Sequence, residues 1–326
     1  MEAIYILEPG TYLRLSGETL RIMREKEVVK EIPVAGLERL TLLGRATMSG
    51  AVLDFLIEKG VDTVFLTQTG RFRARLLPDG KGHVRLRQLQ YKRLFDEDFR
   101  LDTARLIVAK KIENQIAFLL KRSYKQREES VRVMCLRLNA MSKRLALADD
   151  IEAVRGIEGG ASRIFYDAYG LLIKNSAFEF NGRNKHPPLD PVNALLSFVY
   201  TLFTNEVLSA IQASGLDPYL GALHEPLHGR PSLACDLVEE WRGLAESFVL
   251  TLINRKAVSV DDFIKTGKRE RPIEMTPSLL KTLVHAHEKK MNSSIKKGAS
   301  SLKLRWAIHE RVRDFKRYLE KPDIGF

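Results

Sequence analysis

The spacing of apolar residues changes once along the chain, near residue 96, and that change constrains the fold more than any other feature. Up to about residue 90 the apolar residues come in short clusters. Ile4 and Ile6 alternate, Pro9-Gly10 turns the chain, and Leu20/Ile22, Val28/Val29, Ile32/Val34 and Leu40/Leu42 follow, split by glycines and charges. Alternation at period two places one face of a strand in a core, so this region reads as sheet. Ser49 is positioned to cap a short helix carrying Leu53, Leu56 and Ile57; Gly60 ends it, and Val61 to Leu66 reads as a buried strand. Phe72, Ala74 and Leu76, set against Val84 and Leu86 across Pro78-Asp79-Gly80-Lys81-Gly82, predict a hairpin. Its opposite faces would carry Arg71, Arg73, Arg75, Arg85 and Arg87, a basic surface that either contacts phosphates or is simply solvated.

Beyond that point the period becomes helical. Ala104, Ile107, Val108, Ile112, Ile116, Leu119 and Leu120 keep i, i+3, i+4 spacing, as do Val192, Leu195, Leu196, Val199, Leu202 and Phe203. So do Leu233, Leu237, Trp241, Leu244, Phe248 and Leu252, and less regularly Leu302, Trp306, Val312, Phe315 and Leu319. The expected fold class is therefore α+β: a small N-terminal β domain over 1–90, a linker over 91–98, and a larger all-α domain over 99–326. Lys174 to Pro191 and Lys289 to Ser301, rich in polar residues and turn formers, are expected to be mobile loops.

With 44% hydrophobic and 29% charged residues, the composition is that of a globular protein. No run approaches the roughly 18 uninterrupted apolar residues of a membrane span. The start of the chain reads as strand and turn, not as a signal peptide. Cys135 and Cys235 lie far apart without metal-binding spacing, which excludes a disulfide framework and points to the cytoplasm. Fifty-three Lys and Arg against 41 Asp and Glu give a net charge of +12, which suits a polyanionic partner such as nucleic acid.

The residues with most chemistry run from Gly221 to Trp241. His224-Glu225-Pro226-Leu227-His228 matches H-E-x-x-H literally, but zinc proteases need both histidines on one continuous helix. Pro226 removes a backbone donor, and Gly229-Arg230-Pro231 breaks the chain directly afterwards, so the string is read as a loop. Ser232 is placed to cap the helix that follows. On it Asp236 and Glu239, three residues apart, share one side and repel unless a cation lies between them. A divalent metal would serve, with His224 as a nitrogen ligand; a solvated acidic helix face is the other reading. Glu158 lies among Gly156, Gly159 and Gly160, ahead of an aromatic-rich helix with Phe165, Tyr166 and Tyr169. That setting suits a carboxylate at a site or a tight turn, with Arg155 and Arg163 near enough for phosphate contacts. Cys235 is read as packing.

Several of these blocks, taken in order, resemble one family: the CRISPR-associated integrase, the universal adaptation subunit that inserts new spacers. They are Gly10-Thr11, Ile32-Pro33, Lys111-Ile112-Glu113-Asn114-Gln115, Gly156 to Tyr166, Asp190 to Leu196 with Tyr200, and Gly221 to Arg242. The resemblance implies a β domain that forms a homodimer and a helical catalytic domain. It also implies two such dimers flanking a small partner subunit, with a prespacer duplex held between them. By resemblance the metal ligands are Glu158, His224 and Glu239, with Asp236 as a further catalytic acid and Mg²⁺ or Mn²⁺ as the metal. Many relatives have Asp where this chain has Glu239, so Glu239 ligates with Asp236 in support, or the reverse; Glu239 is the expectation taken forward. The implied reaction is attack of a 3′-hydroxyl on a phosphodiester of repeat DNA, with hydrolysis when water takes the hydroxyl's place. Arg163, Tyr166, His228 and Arg230 are candidate DNA contacts, each with a packing or loop-stabilising alternative, and Asn193 is read as a fold residue. The terminal segment with Lys289, Lys290, Lys296, Lys297, Lys303, Arg305, Arg311 and Arg313 could track backbone phosphates or form a solvated tail. A non-catalytic DNA-binding scaffold and a mobile-element integrase remain alternatives on the same fold.

Overall fold

The computed structural model describes residues 2–67, 72–76, 83–124, 129–185, 187–297 and 300–326. The chain opens with β1 (Glu2–Ile6), β2 (Thr11–Ser16), β3 (Thr19–Arg24), β4 (Glu27–Pro33), β5 (Leu37–Leu43) and β6 (Ala46–Met48). Helix α1 (Gly50–Glu58) and strands β7 (Asp62–Leu66) and β8 (Phe72–Leu76) follow. Then come α2 (Val84–Phe95), α3 (Glu97–Ser123), α4 (Glu129–Arg144), α5 (Ile151–Leu171), α6 (Pro191–Ala213), α7 (Ser232–Val238) and α8 (Arg242–Asn254). The chain closes with β9 (Phe263–Lys268), β10 (Arg271–Met275), α9 (Pro277–Met291), β11 (Ser294–Lys297), β12 (Ser300–Lys303) and α10 (Leu304–Glu320).

Two compact units result: 1–82 with 274–293, and 83–273 with 294–326. In the first, β1, β5, β7 and β8 form one sheet and β4, β3, β2 and β6 another. The strand alternation is kept: Ile4, Ile6, Leu13, Leu20, Ile32, Leu40 and Leu42 join Val52, Leu56 and Val61 in one core. Ser49 Oγ accepts from the Val52 amide as the cap of α1, although Leu53 and Ile57 are exposed. Helix α9 returns to this unit late in the chain, its Glu288 Oε1 accepting from the Tyr5 hydroxyl at 2.7 Å.

The second unit is mostly helical. Its core follows the expected periods of α3 and α6, with Ala104, Ile107, Val108, Ile112 and Leu119 buried on one and Val192, Leu195, Leu196, Val199, Leu202 and Phe203 on the other. Helix α6 is long and apolar enough to cross a membrane, but most of it is buried inside the protein.

Several expectations change. The return strand of the predicted hairpin is helix: Val84 and Leu86 open α2, which is anchored in the helical unit. There the Gln90 amide donates to the carbonyls of Asp217 (2.8 Å) and Leu220 (3.2 Å), and its oxygen accepts from the Asp217 N–H. Residues 91–98 are therefore no linker, since α2 runs to Phe95 and Asp96 caps α3 through the Phe99 amide. The basic strand surface does not form. Arg85 and Arg87 are helical, Arg75 Nε lies 3.0 Å from Asp62 Oδ1, and Arg71 and the 78–82 loop fall outside the described residues. The second unit is not all-helical, because β9 pairs with β10 and β11 with β12. This last hairpin occupies much of Lys289 to Ser301, where a loop was expected; Gly298 and the Lys296 and Lys297 side chains fall outside the described residues. On α10 Trp306 faces outward, while Arg305 is buried in a two-pronged pair with Glu206, both bonds at 3.0 Å. Lys174 to Pro191 carries no helix or strand among its described residues before α6. It is tied down by buried Asn193, which donates to Gly182 O and accepts from Arg183 and the Asn184 amide.

Candidate active site

The Gly156–Tyr166 block does not precede a helix; it lies inside α5, capped by Asp150 through the Ala153 amide. The glycines are absorbed by the helix, and Glu158 projects from its second turn. Its Oε1 accepts from the Lys111 ammonium of α3 and, at 3.0 Å, from the Ser162 hydroxyl one turn on. Lys111 is only 2% exposed, and its Nζ also lies 2.7 Å from Glu239 Oε2. Arg242 Nη2 meets the other oxygen of Glu239 at 2.8 Å. Two carboxylates from different elements thus face one another across a buried lysine.

The helix after Pro231 is not continuous either. Pro231, not Ser232, occupies the cap position, and the Ser232 hydroxyl donates to Glu225 O at 2.9 Å. After α7 the chain makes a 3₁₀ turn over Glu239–Trp241 before α8 begins. Asp236, fully buried on α7, points away from the Glu158–Lys111–Glu239 cluster and into the 221–224 loop. Its Oδ2 accepts from the amides of Ala222 (2.6 Å) and Leu223 (3.1 Å). Its Oδ1 accepts from the His224 amide at 3.0 Å and stands 2.7 Å from His224 Nδ1. Two arginines grip the same loop from outside. Arg155 donates to Leu223 O and Glu225, and Arg100 to Ala222 O and Glu225. Arg155 is thereby committed to the loop. The H-E-P-L-H string is non-helical, as its proline requires.

Electrostatics follow from burial and pairing. Burial opposes the Lys111 charge, but Glu239 and Glu158 outweigh it and keep the ammonium cationic. Burial raises the Glu158 carboxyl, yet Lys111, Ser162 and Arg242 bring it down to about 2. Glu239 is likewise pushed up by burial and drawn below its ordinary value by Arg242 and Lys111, with His224 contributing. Behind them Arg242 lies 4.8 Å over the Tyr200 ring, whose hydroxyl donates to Glu246 Oε1 at 2.6 Å. Burial pushes the Glu246 carboxyl up against the pull of Tyr200 and Arg242.

The residues named from sequence are thus only partly brought together. No three ligand atoms from Glu158, His224, Asp236 and Glu239 lie within 4.8 Å of one another. Lys111 stands where a bridging cation would stand. The chemistry of the donor set nevertheless fits a divalent metal: one buried and one half-buried carboxylate that share a cation at Lys111, and an imidazole engaged at Nδ1 by a carboxylate. A histidine so held keeps its other nitrogen for a metal. Tyr166 is no surface contact: it is 6% exposed, and its hydroxyl is 2.7 Å from that of Tyr200. Arg163 and His228 are exposed, whereas Arg230 donates to Glu225 O within its own loop.

A family profile described as "CRISPR associated protein Cas1" matches residues 4–289. The chain belongs to the Cas1 family. A relative from Thermus thermophilus, named CRISPR-associated endonuclease Cas1 3, is 37% identical over 263 residues, which is 80% of this chain and 76% of the relative. One from Moorella thermoacetica, named CRISPR-associated endonuclease Cas1 1, is 34% identical over 309 residues, covering 90% and 88%. Among solved structures, a casposase bound to integration product superposes with TM-score 0.87 at 20% identity, covering 99% of this chain and 91% of that one. A Cas1 protein from Thermotoga maritima gives 0.84 at 23% identity, covering 98% and 97%. A Cas6-RT-Cas1–Cas2 complex gives 0.82 at 22%, covering 98% of this chain and 35% of that one. These structures establish the shared fold. Lys111, Arg242 and Glu246 are the residues that reasoning from the Cas1 pattern alone passed over. Lys111 had a visible signal: it sits four residues after Ile107 and three after Val108, inside the apolar stripe.

Proposed function

We propose that this Cas1 chain is a metal-dependent DNA integrase and endonuclease of CRISPR adaptation, working in the cytoplasm. The observation that carries the reading is the facing of half-buried Glu158 and buried Glu239 across Lys111, with a histidine oriented by Asp236. Two carboxylates brought together inside a protein are costly unless a cation is meant to lie with them. Glu158, Glu239 and His224 Nε2 would hold Mg²⁺ or Mn²⁺. Asp236 would act through His224, keeping the proton on Nδ1 and fixing the loop. What favours Glu239 over Asp236 as the ligand is that Asp236 holds the 222–224 loop, whereas Glu239 faces Glu158.

In the reaction a prespacer 3′-oxygen bonds to a phosphorus of repeat DNA as the bond to the leaving 3′-oxygen breaks. A metal held by Glu158, Glu239 and His224 would supply charge to polarise the phosphate and stabilise the leaving oxygen. Arg163 and His228, both exposed, would contact DNA in this reading. With water in place of the hydroxyl the same site hydrolyses DNA. The relatives named endonuclease support that activity, and the neighbour solved as a Cas6-RT-Cas1–Cas2 complex supports a partner protein, which in this reading is a small subunit that would bridge two homodimers.

The test supplies a fluorescent duplex with free 3′-hydroxyl ends, a supercoiled target and Mn²⁺, with and without the small partner. Glu158→Ala and His224→Ala should each lower strand transfer by at least about a hundredfold while the protein remains folded and cooperative in melting. Undiminished transfer in either variant would sink the assignment and favour a scaffold role. Full transfer without the partner would instead favour a mobile-element integrase, the reading to which the casposase likeness points.

A further inference from the structure

The two proposed ligand carboxylates already face cations. Glu158 and Glu239 contribute two negative charges: buried Lys111 Nζ touches one oxygen of each, and half-buried Arg242 holds the remaining oxygen of Glu239. Lys111 and Glu239 are each 2% exposed, so water screens the pair between them little. The Asp236 carboxylate is held by three backbone amides and the His224 ring, on the 222–224 loop. Three further charged groups stand near the cluster: the Glu246 carboxyl behind Arg242, and the cations Arg183 and Lys185. Lys185, in the loop before α6, is lowered by burial and by Arg242 and Arg183, and also feels Glu239 and Glu158. A divalent metal added here alone would bring two positive charges onto carboxylate oxygens that Lys111 and Arg242 already engage.

We propose that Lys111 is an internal substitute for the metal, so that the metal enters tightly only together with a DNA phosphate. In the DNA-free protein the ammonium bridges Glu158 and Glu239 and ties α3 to α5 and the 3₁₀ turn. The metal competes for the same carboxylate oxygens against a cation that is covalently tethered. A phosphate tips the competition, since its negative charge compensates the excess left by metal, Lys111 and Arg242 together. Such a device would keep the free enzyme from hydrolysing DNA indiscriminately through a preloaded metal. The inference rests on the proposed metal site and deepens it.

The experiment is calorimetric titration of Mn²⁺ into the full-length protein, alone and with a saturating short duplex, after anisotropy in chelator has established that the duplex binds. The duplex should tighten Mn²⁺ binding at least about tenfold. Lys111→Met should tighten DNA-free Mn²⁺ binding by a similar factor and shrink the effect of the duplex. Equal Mn²⁺ affinity with and without duplex overturns the proposal, and this measurement needs only the wild-type protein, whatever the stability of the variant. Unchanged DNA-free affinity in a folded Lys111→Met protein overturns it as well. Glu158→Gln separates the two readings. If it abolishes a Mn²⁺ site that the duplex does not affect, the metal site stands and the coupling fails. If it leaves Mn²⁺ binding untouched, both fail.

Discussion

At Asp236 one buried carboxylate gathers three backbone amides and an imidazole, all from residues 222–224. No other acceptor on α7 could satisfy those donors, so the loop's conformation and the His224 tautomer depend on a single side chain. Asp236→Asn replaces one oxygen by a donor that faces donors. It should cost roughly 1–3 kcal/mol of stability and weaken Mn²⁺ binding about 10- to 100-fold, read by denaturant midpoint and calorimetry. Glu158 carries a pH dependence of definite sign. Its folded carboxyl sits at about 2 against an ordinary 4.5, so the stability it contributes is complete above 4.5 and is lost as pH falls toward 2. In metal-free buffer, acidification from pH 6 to 3 should therefore lower the wild-type urea midpoint more than that of Glu158→Gln. Equal losses would mean that the Lys111 pairing adds nothing.

Among the elements, the 3₁₀ turn between α7 and α8 decides what the site contains. An α-helix advances 100° per residue and a 3₁₀ turn 120°, so three residues shift the helical phase by about 60°. The apolar stripe of Leu233 and Leu237 therefore does not continue through Trp241, Leu244 and Phe248, which are only half-buried. The core face of α8 is instead Ala245, Glu246, Val249, Leu250 and Ile253. That shift brings Glu246 inward beneath Tyr166 and Tyr200 and leaves Glu239 and Arg242 facing the cluster. The loop before α7 depends on a close approach. A Cβ on Gly221 would stand 2.4 Å from Asp236 Oδ2 and 2.8 Å from the Ser232 carbonyl carbon. Backbone cannot yield cheaply, so Gly221→Ala should destabilise by roughly 1–3 kcal/mol. It should also reduce strand transfer by displacing His224, checked by melting and by the transfer assay.

For the molecule as a whole, the net charge of +12 carries an expectation that does not depend on the catalytic assignment. If this surplus is a DNA footprint, affinity for duplex should fall steeply with salt: about a hundredfold between 50 and 200 mM for four phosphate contacts. A flat dependence would remove the basic surface from the account. The division into a β part and a helical part was legible because apolar spacing reports directly on which face of a strand or helix is buried. The loop nature of H-E-P-L-H was equally legible, because a proline's missing N–H is a local property. Val84 and Leu86 misled because two alternating apolar residues fit a strand and the first turn of a helix alike, and only the docking of Gln90 on the 217–220 segment separates them. The ion pairs Lys111–Glu158 and Lys111–Glu239 join residues 47 and 128 positions apart, and no local pattern encodes such meetings. The sequence alone determined which residue types this chain brings to its chemistry and the elements that carry most of them. Only the tertiary structure decided that Glu158 and Glu239 share a buried cation while Asp236 serves the loop. Burial and charge pairing are set by which elements pack together, and helical phase across a 3₁₀ turn is set by that packing too.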